Sequence, residues 1–170
     1  PKGAMLTHGN FISVIQATVD VIPTRPGDRS IVFLPMAHSL QRFALYRGLA
    51  EEIVGYFCTI EDLPDTIRVA RPHVLVPVPR MLEKIQAKVR AGAHAKGPRA
   101  AAFLERAIAD GEQAAELRRR GERPPLQLRT RVAIADRLVY RRIRQGLGGS
   151  LHTFISGGAA LSPQLARWFE

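Results

Sequence analysis

The sequence predicts an α/β fold: a mostly parallel sheet, covering helices and an Arg-rich helical insertion. Three observations carry this. Short continuous apolar runs, Ile31-Val32-Phe33-Leu34 and Val74-Leu75-Val76, are each stopped by proline, the mark of strands buried on both faces. Helical stretches separate the runs at the spacing of βαβ units, which cross over right-handed. The middle of the chain then changes to long stretches rich in Ala, Leu and Arg.

The elements follow in order. Thr7 reads as a helix N-cap, and residues 8–22 as a helix weakened by β-branched residues. Pro23 and Pro26-Gly27-Asp28 punctuate before the strand at 30–34. A helix over 38–50, a strand over 53–58, a helix over 61–70 and a strand over 74–76 come next. Helices are expected over 80–96, 99–120 and 126–146, broken by Gly97-Pro98 and by Gly121 to Pro125. In the last of these, Leu128, Val132, Ala135, Val139 and Ile143 form one apolar face, and Arg137, Arg141 and Arg144 another. A strand over 151–155 runs into the turn Ser156-Gly157-Gly158-Ala159-Ala160. Ser162 then caps a helix with Pro163 at its first position.

Residues 1–170 read as one partial domain, with 80–146 as a helical insertion within it. The chain opens without methionine and closes on Trp168-Phe169-Glu170, in what reads as mid-helix. The expectation is a piece of something longer. No run approaches the roughly 20 apolar residues that span a bilayer, and the first residues do not read as a secretory signal. The single cysteine, Cys58, excludes an intramolecular disulfide and reads as a small buried side chain in a strand. A cytoplasmic setting, peripheral to membrane, is expected. Net charge is +10 and uneven: residues 71–150 hold 18 Lys/Arg against 7 Asp/Glu, and the rest 7 against 8. Such a patch attracts nucleic acid, anionic lipid or a phosphorylated ligand. Tyr140 is the only aromatic between Phe103 and Phe154, which leaves no stacking platform, so nucleic acid is not an expected partner.

Four segments carry chemistry. In Pro1-Lys2-Gly3-Ala4-Met5-Leu6-Thr7-His8-Gly9-Asn10, Lys2 beside Gly3 can offer an ammonium to a phosphate, or be a solvated lysine at a turn. In Phe33-Leu34-Pro35-Met36-Ala37-His38, the histidine can cap the next helix or serve a ligand. In Val76-Pro77-Val78-Pro79-Arg80, Arg80 opens a helix, where it can meet an anion or pair with a carboxylate and fix the turn. In Phe154-Ile155-Ser156-Gly157-Gly158-Ala159-Ala160, two glycines let a flat ligand approach the backbone beyond the end of a strand, or serve turn geometry alone.

Taken together and in this order, the four resemble adenylate-forming enzymes (acyl-CoA synthetases, luciferase, peptide-synthetase adenylation domains), nearest to the bacterial long-chain fatty acid–CoA ligase branch. In that family a Ser/Thr/Gly-rich phosphate loop runs into Pro-Lys-Gly, a strand ends in a segment similar to Leu-Pro-Met-Ala-His, and a Val-Pro-Arg precedes Glu-Lys. The resemblance covers essentially the whole chain and implies part of the large N-terminal domain. It implies a fatty acid activated by ATP to acyl-AMP and passed to CoA, with Mg²⁺ as cofactor. By resemblance Lys2 and Gly3 would meet phosphate, His38 would stand at the acyl carbon as the catalytic group, and Arg80 would meet CoA or nucleotide phosphate. Ser156, Gly157, Gly158, Ala159 and Ala160 would seat the adenylate and the start of the acyl chain. The first half of the phosphate loop, the acidic magnesium motif, the ribose-binding Asp and the C-terminal domain are not in these residues, so no metal ligand is assigned and the segment alone is expected to be inactive. The basic helices suggest attraction to anionic membrane. Alternatives are an adenylation domain with a non-CoA acceptor, a non-catalytic nucleotide- or lipid-binding module, and a basic nucleic-acid-binding helical domain.

Overall fold

The computed structural model describes residues 3–169. They form two compact units, one of residues 3–76 with 147–158, the other of 77–146 with 159–169.

The first unit holds a sheet of four parallel strands in the order β2-β1-β3-β4: β1 Arg29–Val32, β2 Val54–Phe57, β3 Val74–Leu75 and β4 Thr153–Phe154. Register pairs Ser30 with both Gly55 and Val74, and Leu75 with Phe154. As the proline-stopped runs predict, Ile31, Val32, Phe33, Val74, Leu75 and Val76 are buried. The strand β2 departs from this. It lies at the sheet edge with Val54 and Phe57 exposed, and Cys58 falls just past its end, partly buried, rather than inside a strand.

Helix α1 (His8–Thr18) starts at Thr7, whose side chain accepts from the Asn10 N–H while the Asn10 side chain accepts from the Thr7 N–H. It ends at Thr18, short of the expected residue 22. The Thr18 hydroxyl donates back to the Val14 and Ile15 carbonyls, a local bond that competes with helix continuation. Past this end the chain is held by Arg47 of α2 (Ser39–Ala50). Its Nη1 donates to Thr18 O at 3.0 Å and its Nη2 to Ile22 O at 2.9 Å and to Thr24 Oγ1 at 3.1 Å. The same guanidinium grips Glu51 through Nε and Nη2, at 3.0 and 2.8 Å, and Thr24 donates to Glu51 as well. Burial pushes the Glu51 carboxyl up, but the hydrogen bonds from Arg47 and Thr24 and the guanidinium charge hold it below its usual value. Helix α3 (Leu63–Ala70) buries Leu63, Ile67 and Ala70.

The second unit is helical: α4 Pro79–His94, α5 Pro98–Arg119, α6 Leu126–Ala135, α7 Arg141–Gly146 and α8 Pro163–Phe169. The helix expected over 126–146 is interrupted by a π-helical turn at Asp136–Tyr140. Its predicted apolar face is the inward one, with Leu128 and Ala135 buried and Val132, Val139 and Ile143 partly so, while Arg137, Arg141 and Arg144 are exposed. Tyr140 donates its hydroxyl to Ala107 O on α5. A Cβ at Gly111 would stand 2.7 Å from that hydroxyl oxygen, so glycine is what admits the ring. Ser162 caps α8 by accepting from the Leu165 N–H, as the Ser-Pro pair predicts. Among the described residues no helix is long and apolar enough to cross a membrane.

Arg47 is 2% exposed and Glu51 18%, so removing one partner strands the other. Arg47→Met is expected to lower the unfolding free energy by roughly 3–5 kcal/mol, measured by urea denaturation. A loss under about 1 kcal/mol, the scale of a surface pair, would mean the network carries no such weight.

Candidate functional site at the strand ends

The loops after β1 and β4 meet over the carboxyl end of β3, because β3 lies between those strands. The β1 loop is held by α2: Gln41 Oε1 accepts from the Leu34 N–H at 3.3 Å, and Arg42 Nε donates to Met36 O at 3.1 Å. His38 then caps α2, its Nδ1 accepting the Leu40 N–H at 3.3 Å. An accepting Nδ1 leaves Nε2 to carry the proton of the neutral ring. That Nε2 has no hydrogen-bond partner among the described residues. The capping and ligand-facing readings of His38 are therefore compatible: Nδ1 makes the cap and Nε2 is left over.

The His38 ring lies against the β4 turn. Gly158 has φ +80°, and a Cβ there would sit 3.1 Å from His38 Cε1 and 3.4 Å from Nε2. A Cβ at Gly157 would sit 3.0 Å from Leu40 Cδ1. Both glycines are thus closely approached by the start of α2 and its cap. Beside them the Ser156 hydroxyl oxygen is buried without a partner among the described residues.

The other expected residues fall elsewhere. Lys2 lies outside the described residues. Gly3 is exposed, with open space where a Cβ would be. Arg80 is the second residue of α4, exposed and without a carboxylate partner among the described residues; it belongs to the second unit, as do the exposed Ala159 and Ala160. Among the described residues no group of three or more His, Cys, Asp or Glu side chains is arranged to hold a metal ion. Magnesium, which the resemblance implies, therefore finds no ligand set among them.

Two features escaped the sequence. The first is a cavity of about 150 Å³ between α2 and the sheet. Its sequence signal was a lone glycine in a helix, Gly48, and another in a strand, Gly55, the latter a usual sign of close backbone approach. The second is a cluster at the opposite, amino-terminal ends of the strands. His73 and His152 stack there at 5.8 Å beside the buried Asp28. Burial, then the Arg29 guanidinium, holds the His73 pKa below the usual histidine value against the pull of Asp28. No spacing marks this cluster, since parallel register alone assembles it.

Such a fold, with a histidine and a double glycine meeting beyond strand carboxyl ends, belongs to the α/β proteins that bind ligands at that edge. The chain belongs to the AMP-binding enzyme family, whose model matches residues 1–170. It is 37% identical over 175 residues to long-chain-fatty-acid–CoA ligase FadD15 of Mycobacterium tuberculosis, an alignment covering 100% of this chain and 28% of that protein. It is 33% identical over 179 residues to long-chain-fatty-acid–CoA ligase 5 of Rattus norvegicus, covering 100% and 24%. The chain thus spans about a quarter of the length of these curated relatives. Among solved structures it is similar to the adenylation domain of the carboxylate reductase GR01_22995 from Mycobacterium chelonae (TM-score 0.62, 19% identity, 94% of this chain and 21% of that one). It is also similar to the adenylation domain of carboxylic acid reductase from Segniliparus rugosus, solved with AMP and a co-purified carboxylic acid (TM-score 0.55, 25% identity, 95% and 22%). The α/β expectation is borne out, and the resemblance to adenylate-forming enzymes with it.

At Gly158 the backbone is left-handed and the space for a side chain is occupied by His38. Gly158→Ala is expected to cost roughly 1–2 kcal/mol of stability from the backbone alone and to move the His38 ring. Urea unfolding together with the His38 imidazole NMR resonances checks both, and unmoved resonances would show that the contact is not tight.

Proposed function

We propose that the chain is part of a long-chain fatty acid–CoA ligase that binds ATP, and that the strand-end site holds the fatty carboxylate and its adenylate. The observation that carries this is the packing of His38 against Gly158, with the cap at Nδ1 leaving Nε2–H free. In the first step a carboxylate oxygen attacks the α-phosphorus of ATP; the new P–O bond forms as the bond to pyrophosphate breaks. In the second, the CoA sulfur attacks the acyl carbon, the thiol proton passes to solvent, and the C–O bond to AMP breaks. His38 Nε2–H donates to the acyl oxygen, orienting it and stabilising the charge that gathers there. The bare backbone at Gly157 and Gly158 lets the adenylate lie close. Lys2 and Gly3 take phosphate and Arg80 a phosphate of CoA or nucleotide, assignments that rest on the motifs.

The acyl chain enters the cavity between α2 and the sheet. Its walls include Val32, Val76, Ile155, Ala44 and Leu45, an apolar lining suited to methylenes. CoA is preferred as acceptor because the relatives named CoA ligases are more similar in sequence than the carboxylate reductase domains.

The enzyme works in the cytoplasm against anionic membrane, where its substrate partitions. Arg80, Lys84, Lys88, Arg99 and Arg106 support this: they are exposed and form no ion pair among the described residues. The full-length protein should float with phosphatidylglycerol vesicles at low salt and be released at high salt; absence of flotation at low salt removes the membrane reading.

The ligase reading is tested by fatty-acid-dependent ATP–pyrophosphate exchange and thioester formation in the full-length enzyme. His38→Ala should lower turnover by about 10²-fold, the scale for losing one donor to a developing oxyanion, with the KM for ATP little changed. His38→Gln should recover part of the loss. Wild-type enzyme that exchanges pyrophosphate with no fatty acid at all would end the reading.

A further inference from the structure

Three residues that stand just before three parallel strands meet in one place. Asp28 precedes β1, His73 precedes β3 and His152 precedes β4. The His73 carbonyl accepts the N–H of His152 at 3.0 Å and that of Thr153 at 3.2 Å. Since β4 is two residues long, its amino end hangs on this residue. The His73 N–H in turn donates to Arg29 O at 2.8 Å, so His73 joins the start of β4 to the start of β1.

The His73 ring sits between opposed demands. Its Nδ1 accepts the Arg29 N–H at 3.0 Å and lies 3.3 Å from Asp28 Oδ1, while its Nε2 lies 3.3 Å from Arg29 Nη2. Asp28 is shared as well: its Oδ2 accepts the Arg25 N–H at 2.9 Å and lies 3.5 Å from His152 Nε2. The charged and titratable groups facing His73 are therefore Asp28 and Arg29 from the side of β1 and the stacked His152 from the side of β4. Arg71, just after α3, turns its Nε to Gly148 O at 3.2 Å instead. A neutral His73 ring satisfies the Arg29 N–H. A proton on Nδ1 takes that acceptor away, turns the ring to Asp28 and adds a positive charge beside Arg29 and His152.

We propose that His73, His152 and Asp28 form a proton-operated latch on β4, shut while His73 is neutral and loosened when it takes a proton. The effect reaches the strand-end site, because β4 runs directly into the turn whose Gly158 meets His38. His152 has 43% of its side chain exposed, so it is the ring that leaves the stack for solvent when both are charged. Burial, then the Arg29 charge, holds the His73 pKa below its usual value. The folded protein therefore binds fewer protons than the unfolded chain just below the ordinary histidine value of about 6.5. Stability from this cluster is full above that pH and falls as the pH drops beneath it. The latch goes beyond the ligase reading and does not depend on it.

Hydrogen exchange in the full-length protein, read by mass spectrometry at about pH 7.5 and about pH 5.5, brackets the ordinary histidine value. After correction for the intrinsic pH dependence of exchange, protection over residues 152–158 should drop several-fold at the lower pH, while that of α5 should hold. His73→Asn keeps an acceptor for the Arg29 N–H and carries no titrating group, so its protection over the same residues should be equal at both pH values. His152→Asn, at a half-exposed position, should show a smaller acid loss than the wild type. Thermal unfolding verifies that each variant is folded. Wild-type protection that stays within about twofold between the two pH values overturns the latch. So does an acid loss in folded His73→Asn as large as in the wild type. An undiminished acid loss in His152→Asn overturns it too, which keeps the test open should His73→Asn fail to fold.

Discussion

The guanidinium of Arg47 binds together three parts of the first unit. It takes the carbonyl at the end of α1, the carbonyl of Ile22 and the hydroxyl of Thr24 in the connection to β1, and the carboxylate of Glu51 just beyond its own helix. A charge buried to this degree is tolerated only when it is paired and its donors are used, and both conditions hold. Because α2 is tied at its far end in this way, its first turn comes to a fixed place over the strand ends. That first turn carries His38.

The site then follows from a close approach rather than from any single reactive group. His38 is held at one nitrogen by the backbone of Leu40, which leaves the other facing outward from the cap. The ring stands where a side chain at Gly158 would be. Two loops far apart in sequence are thus locked in one geometry, each limiting the other. The same helix also forms one wall of a cavity whose other wall is the sheet, with Gly48 and Gly55 in its lining.

Several elements were legible in the sequence because their causes are local. The proline-stopped apolar runs gave β1 and β3, Thr7 and Ser162 announced their helices, and the stepped apolar residues from Leu128 to Ile143 gave an inward face. Where competition was finer, the reading slipped. The first helix stops at Thr18 because a hydroxyl turns back on the helix, and the helix after Leu126 holds a π-turn beside a tyrosine that reaches another helix. Cys58, expected buried inside a strand, lies partly buried just past its end, since apolar composition does not mark where an edge strand stops.

The sequence by itself determined the element order, the candidate residues and, through the order of its motifs, the family, because each of these is written in local spacing and residue type. Only the tertiary structure decided that His38 both caps a helix and meets Gly158, that Arg47 reaches back to Thr18, Ile22 and Thr24, and that His73 and His152 gather around Asp28. Those are pairings between residues tens of positions apart. They come into being when parallel strands take their register, and no local pattern encodes that register.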